Sequence, residues 1–278
     1  MLFLGRRALA DCAEGLGERG RIRGYLVLPE RDGCPLEEGL VARGIAQSAP
    51  REASIDWTPP YRLGRAGFFH ALNDARAAVA SGQISMALVG GVDSHCDPAS
   101  LHALAHAGRT LGPRNFDGLL PGEAAGFVRV TLRDGASYGE DRPFASVVAL
   151  ACARDDEPFP ERSPMKAHAL TAVFRDLRRA HPGPRPQHLY SCQSNEGRWG
   201  RELSNAYLRN VALMPEPFRQ SLTAAFLGDT GAAAPFVALA MAARTMKLGH
   251  RTNRKVDTVV IYGAADEGAV GGAVVTRA

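Results

Sequence analysis

The chain has 278 residues and a mass of 29.6 kDa, with 45% hydrophobic residues, enough to bury a substantial core without disulfide staples. Its net charge is only +4, and the basic residues are almost all Arg, with Lys only at 166, 247 and 255. They are interspersed with Asp and Glu rather than clustered, which argues against a nucleic-acid or membrane-surface partner. Five cysteines (Cys12, Cys34, Cys96, Cys152, Cys192), odd in number and without a CxxC pair, read as reduced thiols of a cytoplasmic protein. No stretch approaches the ~18 uninterrupted apolar residues of a membrane span. The charges of MLFLGRRALADC follow its apolar run, the reverse of a secretory signal.

In chain order, Leu4, Ala8, Leu9, Ala13 and Leu16 recur at helical spacing within residues 1–20. Ile22 to Leu28 alternates as a strand, closed by Pro29 and Asp32-Gly33. Residues 36–46 read as a helix and 53–57 as a short strand stopped by Pro59-Pro60. A helix follows over about 67–81, then a strand at 84–91, a helix at 98–108, a Gly/Pro-rich loop, and strands at 124–132 and 146–153. Ser163-Pro164, an N-cap followed by Pro at the first helical position, opens an amphipathic helix reaching 180. A strand at 188–192, a polar loop and a helix near 200–210 come next. A helix at 231–246 and strands at 257–264 and 271–277 close the chain. Strands alternating with helices at this spacing predict a layered α/β fold with parallel strands.

An internal repeat organises these elements. Leu63-Gly64-Arg65-Ala66-Gly67 and Leu227-Gly228-Asp229-Thr230-Gly231 share the pattern LGxxG. Each precedes a small-residue helix, an apolar strand ending in glycine, and a second strand. Two duplicated halves, 1–153 and 154–278, sharing one core are expected. The two buried helices predict a five-layered α-β-α-β-α arrangement.

Three runs in order carry a resemblance. They are Gly82-x5-Leu88-Val89-Gly90-Gly91, Pro121-Gly122-Glu123-Ala124-Ala125-Gly126, and Gly228-Asp229-Thr230-Gly231-Ala232-Ala233-Ala234. Together they resemble the β-ketoacyl synthases of the thiolase superfamily, over roughly residues 53–278. The resemblance implies two pseudo-symmetric halves, an acyltransferase ancestry in fatty-acid or polyketide-type metabolism, and acyl carrier protein or acyl-CoA as partners. It also implies a dimer, with itself or with another thiolase-fold chain, through the strand 84–91. The chain starts later than the family pattern, so an abbreviated N-terminal half is expected. Neither a cofactor nor a metal is implied.

The family condenses acyl groups with a Cys at the start of the first buried helix, two His and a nearby Lys. Counting back without gaps from Gly90 places Arg65 at the nucleophile position. The first His falls at or near Gln193, Asp229 replaces the second, and the Lys becomes Ala224. Without a nucleophile there is no acyl-enzyme, so condensation is expected to fail and a scaffold or partner-subunit role remains. The alternative is an active acyltransferase using a non-standard polar site around Arg65, Gln193, Glu196 and Asp229.

Arg65 and Asp229 are expected at equivalent, facing helix starts, as a buried ion pair; alternatively Arg65 holds a carboxylate or phosphopantetheine phosphate. Glu196 could act as a base and Asn195 as an oxyanion donor, against the plainer reading that Glu196 pairs with Arg198 or Arg201 on the surface. Cys192 could be a relocated nucleophile, but it ends an apolar strand and reads more simply as core. His95, Cys96, His102 and His106 lack an HExxH pattern, which favours a solvated turn over a metal site. An open tunnel reaching Arg65 and Asp229 would speak for an enzyme, whereas filling by Phe68, Phe69 and Phe226 would speak for a scaffold.

Overall fold

Two five-stranded sheets sandwich a pair of helices in the computed structural model, which describes residues 1–14, 16, 22–30, 38–49, 55–132, 143–155, 166–249 and 256–278. The first part of the chain supplies α1 (Leu2–Ala13), β1 (Ile22–Leu28), α2 (Glu38–Ala46), β2 (Ile55–Trp57), β3 (Tyr61–Arg62), α3 (Gly67–Ala80), β4 (Met86–Ser94), α4 (Pro98–His106) and β5 (Glu123–Val130). Next come β6 (Ala145–Arg154), α5 (His168–Ala180), β7 (His188–Ser191), α6 (Gly197–Arg209), β8 (Gln220–Leu222), α7 (Ala224–Leu227), α8 (Ala234–Gly249), β9 (Thr258–Ala264) and β10 (Ala269–Arg277). The Ser163-Pro164 start and the Asp32-Gly33 turn expected from sequence lie outside the described residues.

The first sheet runs β2-β1-β4-β5, with β3 continuing the β2 edge beside β1; the second runs β6-β10-β9-β7-β8. In each, a parallel pair (β1 with β4, β7 with β9) is followed by an antiparallel neighbour (β5, β10), so the halves repeat one another. α3 packs on β1, β4, β6 and β10, and α8 on β5, β7 and β9. Both therefore lie in the middle layer, where Ala71, Ala75, Ala78, Ala238 and Ala242 let the backbones approach closely. α1 and α2 cover the outside of the first sheet through Leu9, Val41 and Ile45. α5 covers the second, burying Leu170, Val173, Phe174 and Leu177 from one helical stripe. This is the expected α-β-α-β-α layering.

Two expectations are corrected here. β4 is hydrogen-bonded to β1 on one side and β5 on the other, so strand 84–91 has no free edge to offer a second chain. The repeat register also differs. The matching one-turn 3-10 segments that lead into α3 and α8 are Gly64–Ala66 and Gly231–Ala233, each begun by a glycine in the left-handed region (φ 45° and 46°). Arg65 is thus equivalent to Ala232, and Asp229 lies two residues ahead of its own turn. The LGxxG match aligned similar letters, whereas backbone conformation pairs the glycines that a left-handed turn requires.

Candidate functional site

The two 3-10 turns meet in the middle layer, and their approach brings Arg65 to Asp229 although the residues are not symmetry equivalents. Asp229 is positioned by Gly228-Asp229 docking on Pro121-Gly122: Asp229 N–H donates to the Leu120 carbonyl at 2.6 Å, and Gly122 N–H donates to the Asp229 carbonyl at 3.0 Å. Any Cβ at position 122 would fall 2.2 Å from the Leu227 carbonyl oxygen, which gives the Gly122 of the second motif its physical reason. Asp229 Oδ1 accepts from Gly231 N–H (3.0 Å) and Asp93 Oδ2 from Ala232 N–H (2.8 Å). Two carboxylates thereby satisfy donors at the start of the α8 segment, where the backbone dipoles favour negative charge.

The Arg65 guanidinium is bound on every side. Nη1 donates to Asp229 Oδ2 (2.7 Å), Nη2 to Asp266 Oδ1 (2.6 Å) and Nε to the Ala264 carbonyl (3.1 Å), while the Trp199 ring lies 5.1 Å from Cζ. Asp266 Oδ2 in turn accepts from Arg109 Nη1 (2.6 Å), and Arg109 grips Glu196 with Nε (2.8 Å) and Nη2 (2.7 Å). Ser194 Oγ donates to Glu196 Oε2 at 2.7 Å. Glu30, at the end of β1, accepts the N–H groups of Asp266 and Glu267 (3.1 and 2.9 Å) and fixes the turn that carries Asp266. Glu196 is therefore buried and held by Arg109, not paired with Arg198 or Arg201 at the surface.

Electrostatics follow from this inventory. Burial alone would lower the Arg65 pKa, but the surrounding carboxylates Asp229, Asp266, Glu30 and Glu196 raise it well above the ordinary guanidinium value. Burial pushes Asp229 up, yet Arg65 and then His95 outweigh it and hold the carboxyl below its usual range. His95 Nε2 lies 4.0 Å from Asp229 Oδ2. Glu30 is pushed up to about 7, first by burial and then by the Asp266 charge. Arg65 is only 5% exposed and Asp229 1%. The arrangement surrounds a buried cation with acceptors that satisfy its donors.

A cleft of about 680 Å³ opens beside the network, lined by Gln193, Asn195, Glu196 and Trp199 among others, whereas Arg65 and Asp229 are not among its lining residues. Phe68 and Phe69 fill the middle layer, packed edge to face at 5.3 Å between centroids. Phe226 does not join them; α7 presents it to solvent, 67% exposed. The Cys192 thiol faces the core, and burial pushes its pKa up strongly. His102 and His106 stack loosely on α4 at 6.5 Å, and among the described residues no group of three His, Cys, Asp or Glu is placed to hold a metal. Sequence reasoning missed Arg109, Asp266 and Glu30. Nothing local marks them, since Asp266 meets Arg65 and Arg109 across 201 and 157 residues of chain.

The family model for the β-ketoacyl synthase N-terminal domain matches residues 66–133. Solved structures match over the entire fold. The ketosynthase from module 6 of the bacillaene synthase of Bacillus subtilis 168 superposes with a TM-score of 0.73 at 17% identity, covering 100% of this chain. This is a ketosynthase fold. FabH of Pseudomonas aeruginosa PAO1, a 3-oxoacyl-(acyl carrier protein) synthase III, gives 0.62 at 19% identity, with 99% of this chain and 82% of FabH covered. The ishigamide ketosynthase/chain length factor gives 0.62 at 18% identity over 93% and 74% of the two chains. The ketosynthase-like chain spans only 57% of the bacillaene domain. No curated protein matches it in sequence. Among its described residues, no helix is long and apolar enough to cross a membrane.

Proposed function

We propose that this ketosynthase-like chain is a non-condensing partner subunit, paired with itself or with an active ketosynthase-fold chain in fatty-acid or polyketide-type acyl metabolism. One observation carries the reading: where the family's resemblance calls for a nucleophile at the start of the buried helix, Arg65 is clamped between Asp229 and Asp266. A guanidinium held far above its ordinary pKa cannot form an acyl-enzyme. Gln193 and Asp229, aligned with the family's histidines, are committed to Ala264 N–H and to Arg65. Cys192, the nearest thiol in sequence, is buried with its pKa raised, which disfavours the thiolate. The network instead ties Glu30, Arg65 and Arg109 of the first half to Glu196, Asp229 and Asp266 of the second, a means of holding a paired surface in shape. With β4 enclosed, a partner would engage the β2–β3 or β5 edge of the first sheet. Incubation with acyl-CoA and with acyl carrier protein loaded with the same acyl group, read by intact mass, tests this. No covalent adduct is expected; a stable acyl adduct on the native chain would overturn the proposal.

A further inference from the structure

The two halves repeat one another except at one place. In the second sheet β6 pairs antiparallel with β10, Cys152 standing opposite Gly271. β10 corresponds to β5: a Cβ on Gly271 would fall 2.4 Å from the Phe69 Cβ, and one on Gly126 2.6 Å from the Phe236 Cβ, the same contact in each half. Yet among the described residues β5 pairs with β4 alone, and no strand takes the place of β6 beside it. The consequence shows in burial. β10 is buried from Ala269 to Val275, whereas β5 is half-buried or exposed along its whole length. Its outward backbone N–H and C=O groups form a row that a further strand can pair with.

The floor of that position is already built. α3 lies beneath β10 and β6; α8, its counterpart, lies beneath β5 and by the same geometry extends under the adjoining position. With Gly64 equivalent to Gly231, His70 and Asp74 of α3 correspond to Val237 and Met241 of α8. His70 and Asp74 lie near β6, His70 feeling the Arg154 charge and Cys152 the Asp74 charge. Where that floor is polar, the one beside β5 is apolar, and Val237 and Met241 are only partly buried. The outer side differs too. α5 lies over β6 and β10, but α1, its counterpart, lies over β5 and β4, one strand further in. The position is open from outside and floored by apolar side chains.

We propose that the β5 edge accepts one extended, uncharged strand donated by a separate polypeptide, antiparallel to β5, with alternate apolar side chains resting on Val237 and Met241. A second copy of this chain does not fit. Two β5 strands paired edge to edge, about 4.8 Å apart, would bring two α8 helices to one place, whereas packed helices need about 8–10 Å. The inference deepens the partner-subunit reading by giving it a contact; acyl transfer and strand binding are read separately, so either can fail alone.

Fluorescence anisotropy of the full chain with a labelled peptide tests this. The peptide has eight residues of alternating Val and Thr, the length of β5, flanked by Lys pairs for solubility. Binding should saturate and raise the Tm, as for any ligand of the native state. A central Val replaced by Asp puts a charge on the apolar floor, and a central Pro removes a ladder donor; each should weaken binding at least about tenfold. Met241→Asp copies what α3 carries at Asp74, so it should fold with a near-native Tm and weaken the Val/Thr peptide by a similar factor. Val237→His, copying His70, should weaken it likewise and serves if Met241→Asp is unstable. The proposal is overturned by a peptide that fails to saturate, by equal binding of the Asp or Pro peptide, or by folded floor variants that bind as the native chain does. A dimer that the peptide dissociates, seen by sedimentation, would overturn it too.

Discussion

Removing Arg65 is the most direct probe of the charge network. In Arg65→Met the stem is replaced by a side chain of similar reach, but the guanidinium is lost and Asp229, 1% exposed, loses its 2.7 Å partner. Asp266 keeps Arg109, so the cost is concentrated on Asp229, which retains only His95 at 4.0 Å and the Gly231 N–H. Breaking a buried pair from one side costs about 3–5 kcal/mol. In a chain of this size that corresponds to a fall of roughly 10 °C in Tm. The pH dependence gives a second handle. In the native chain Asp229 is held below its ordinary pKa, so its contribution is present above about pH 4 and lost as pH falls through the folded value. Without Arg65, burial dominates and the sign reverses: the ionised carboxyl is penalised at high pH and relieved by protonation as pH falls. Urea midpoints of the two proteins should differ most at pH 8 and converge towards pH 5. Arg65→Met/Asp229→Asn should recover about half the loss, because the neutral amide still accepts from Gly231. A loss below about 1 kcal/mol, or one unchanged between pH 5 and pH 8, would refute the argument that this pair is a buried and fully ionised tie.

Three further outcomes follow from the same geometry. Glu202, pushed up to about 7 chiefly by burial, holds its proton in the folded chain above its unfolded pKa; its contribution is present below about pH 4.5 and lost as pH rises through 7. Glu202→Gln should therefore gain about 1–3 kcal/mol over wild type in urea unfolding at pH 8 and little at pH 5, and equal gains at both would contradict the burial argument. Arg109→Leu strands the buried Glu196 and should cost about 3 kcal/mol by the same unfolding measurement, more than substitution of the exposed Arg175. Gly231→Ala combines a left-handed φ of 46° with a Cβ only 1.9 Å from Asp93 Oδ2, whereas at Gly64 the nearest atom is 3.3 Å away. Calorimetric Tm should fall further for Gly231→Ala than for Gly64→Ala, by at least about 1 kcal/mol in stability.

Much of the fold is legible in the sequence because hydrophobic period and turn chemistry are local properties. Ile22–Leu28 alternates and forms β1 with those bounds, and the small-residue run after Gly67 forms the buried α3. The order of the glycine-containing motifs likewise gives the duplicated layers, since each marks a close backbone approach such as Gly122 on Leu227. Even the meeting of Arg65 with Asp229 follows from knowing that the two buried helices start face to face. Register and partnership are different in kind. Whether Arg65 corresponds to Asp229 or to Ala232 depends on which glycine takes the left-handed turn, and the LGxxG letters favour Asp229 whereas the backbone pairs Gly64 with Gly231. Phe226 reads as core beside two other phenylalanines, but α7 turns it outward. Glu196 reads as a surface acid because its true partner, Arg109, lies 87 residues away. Strand 84–91, which the resemblance puts at a dimer contact, is enclosed once β1 and β5 are placed on its two sides. The sequence determined the elements and their repeated order through short-range sterics and burial. Tertiary structure alone decided which charges, Asp266, Arg109 and Glu196, join the Arg65–Asp229 pair, because a Coulombic partner is chosen by distance in space and low local dielectric, and neither is written in neighbouring residues.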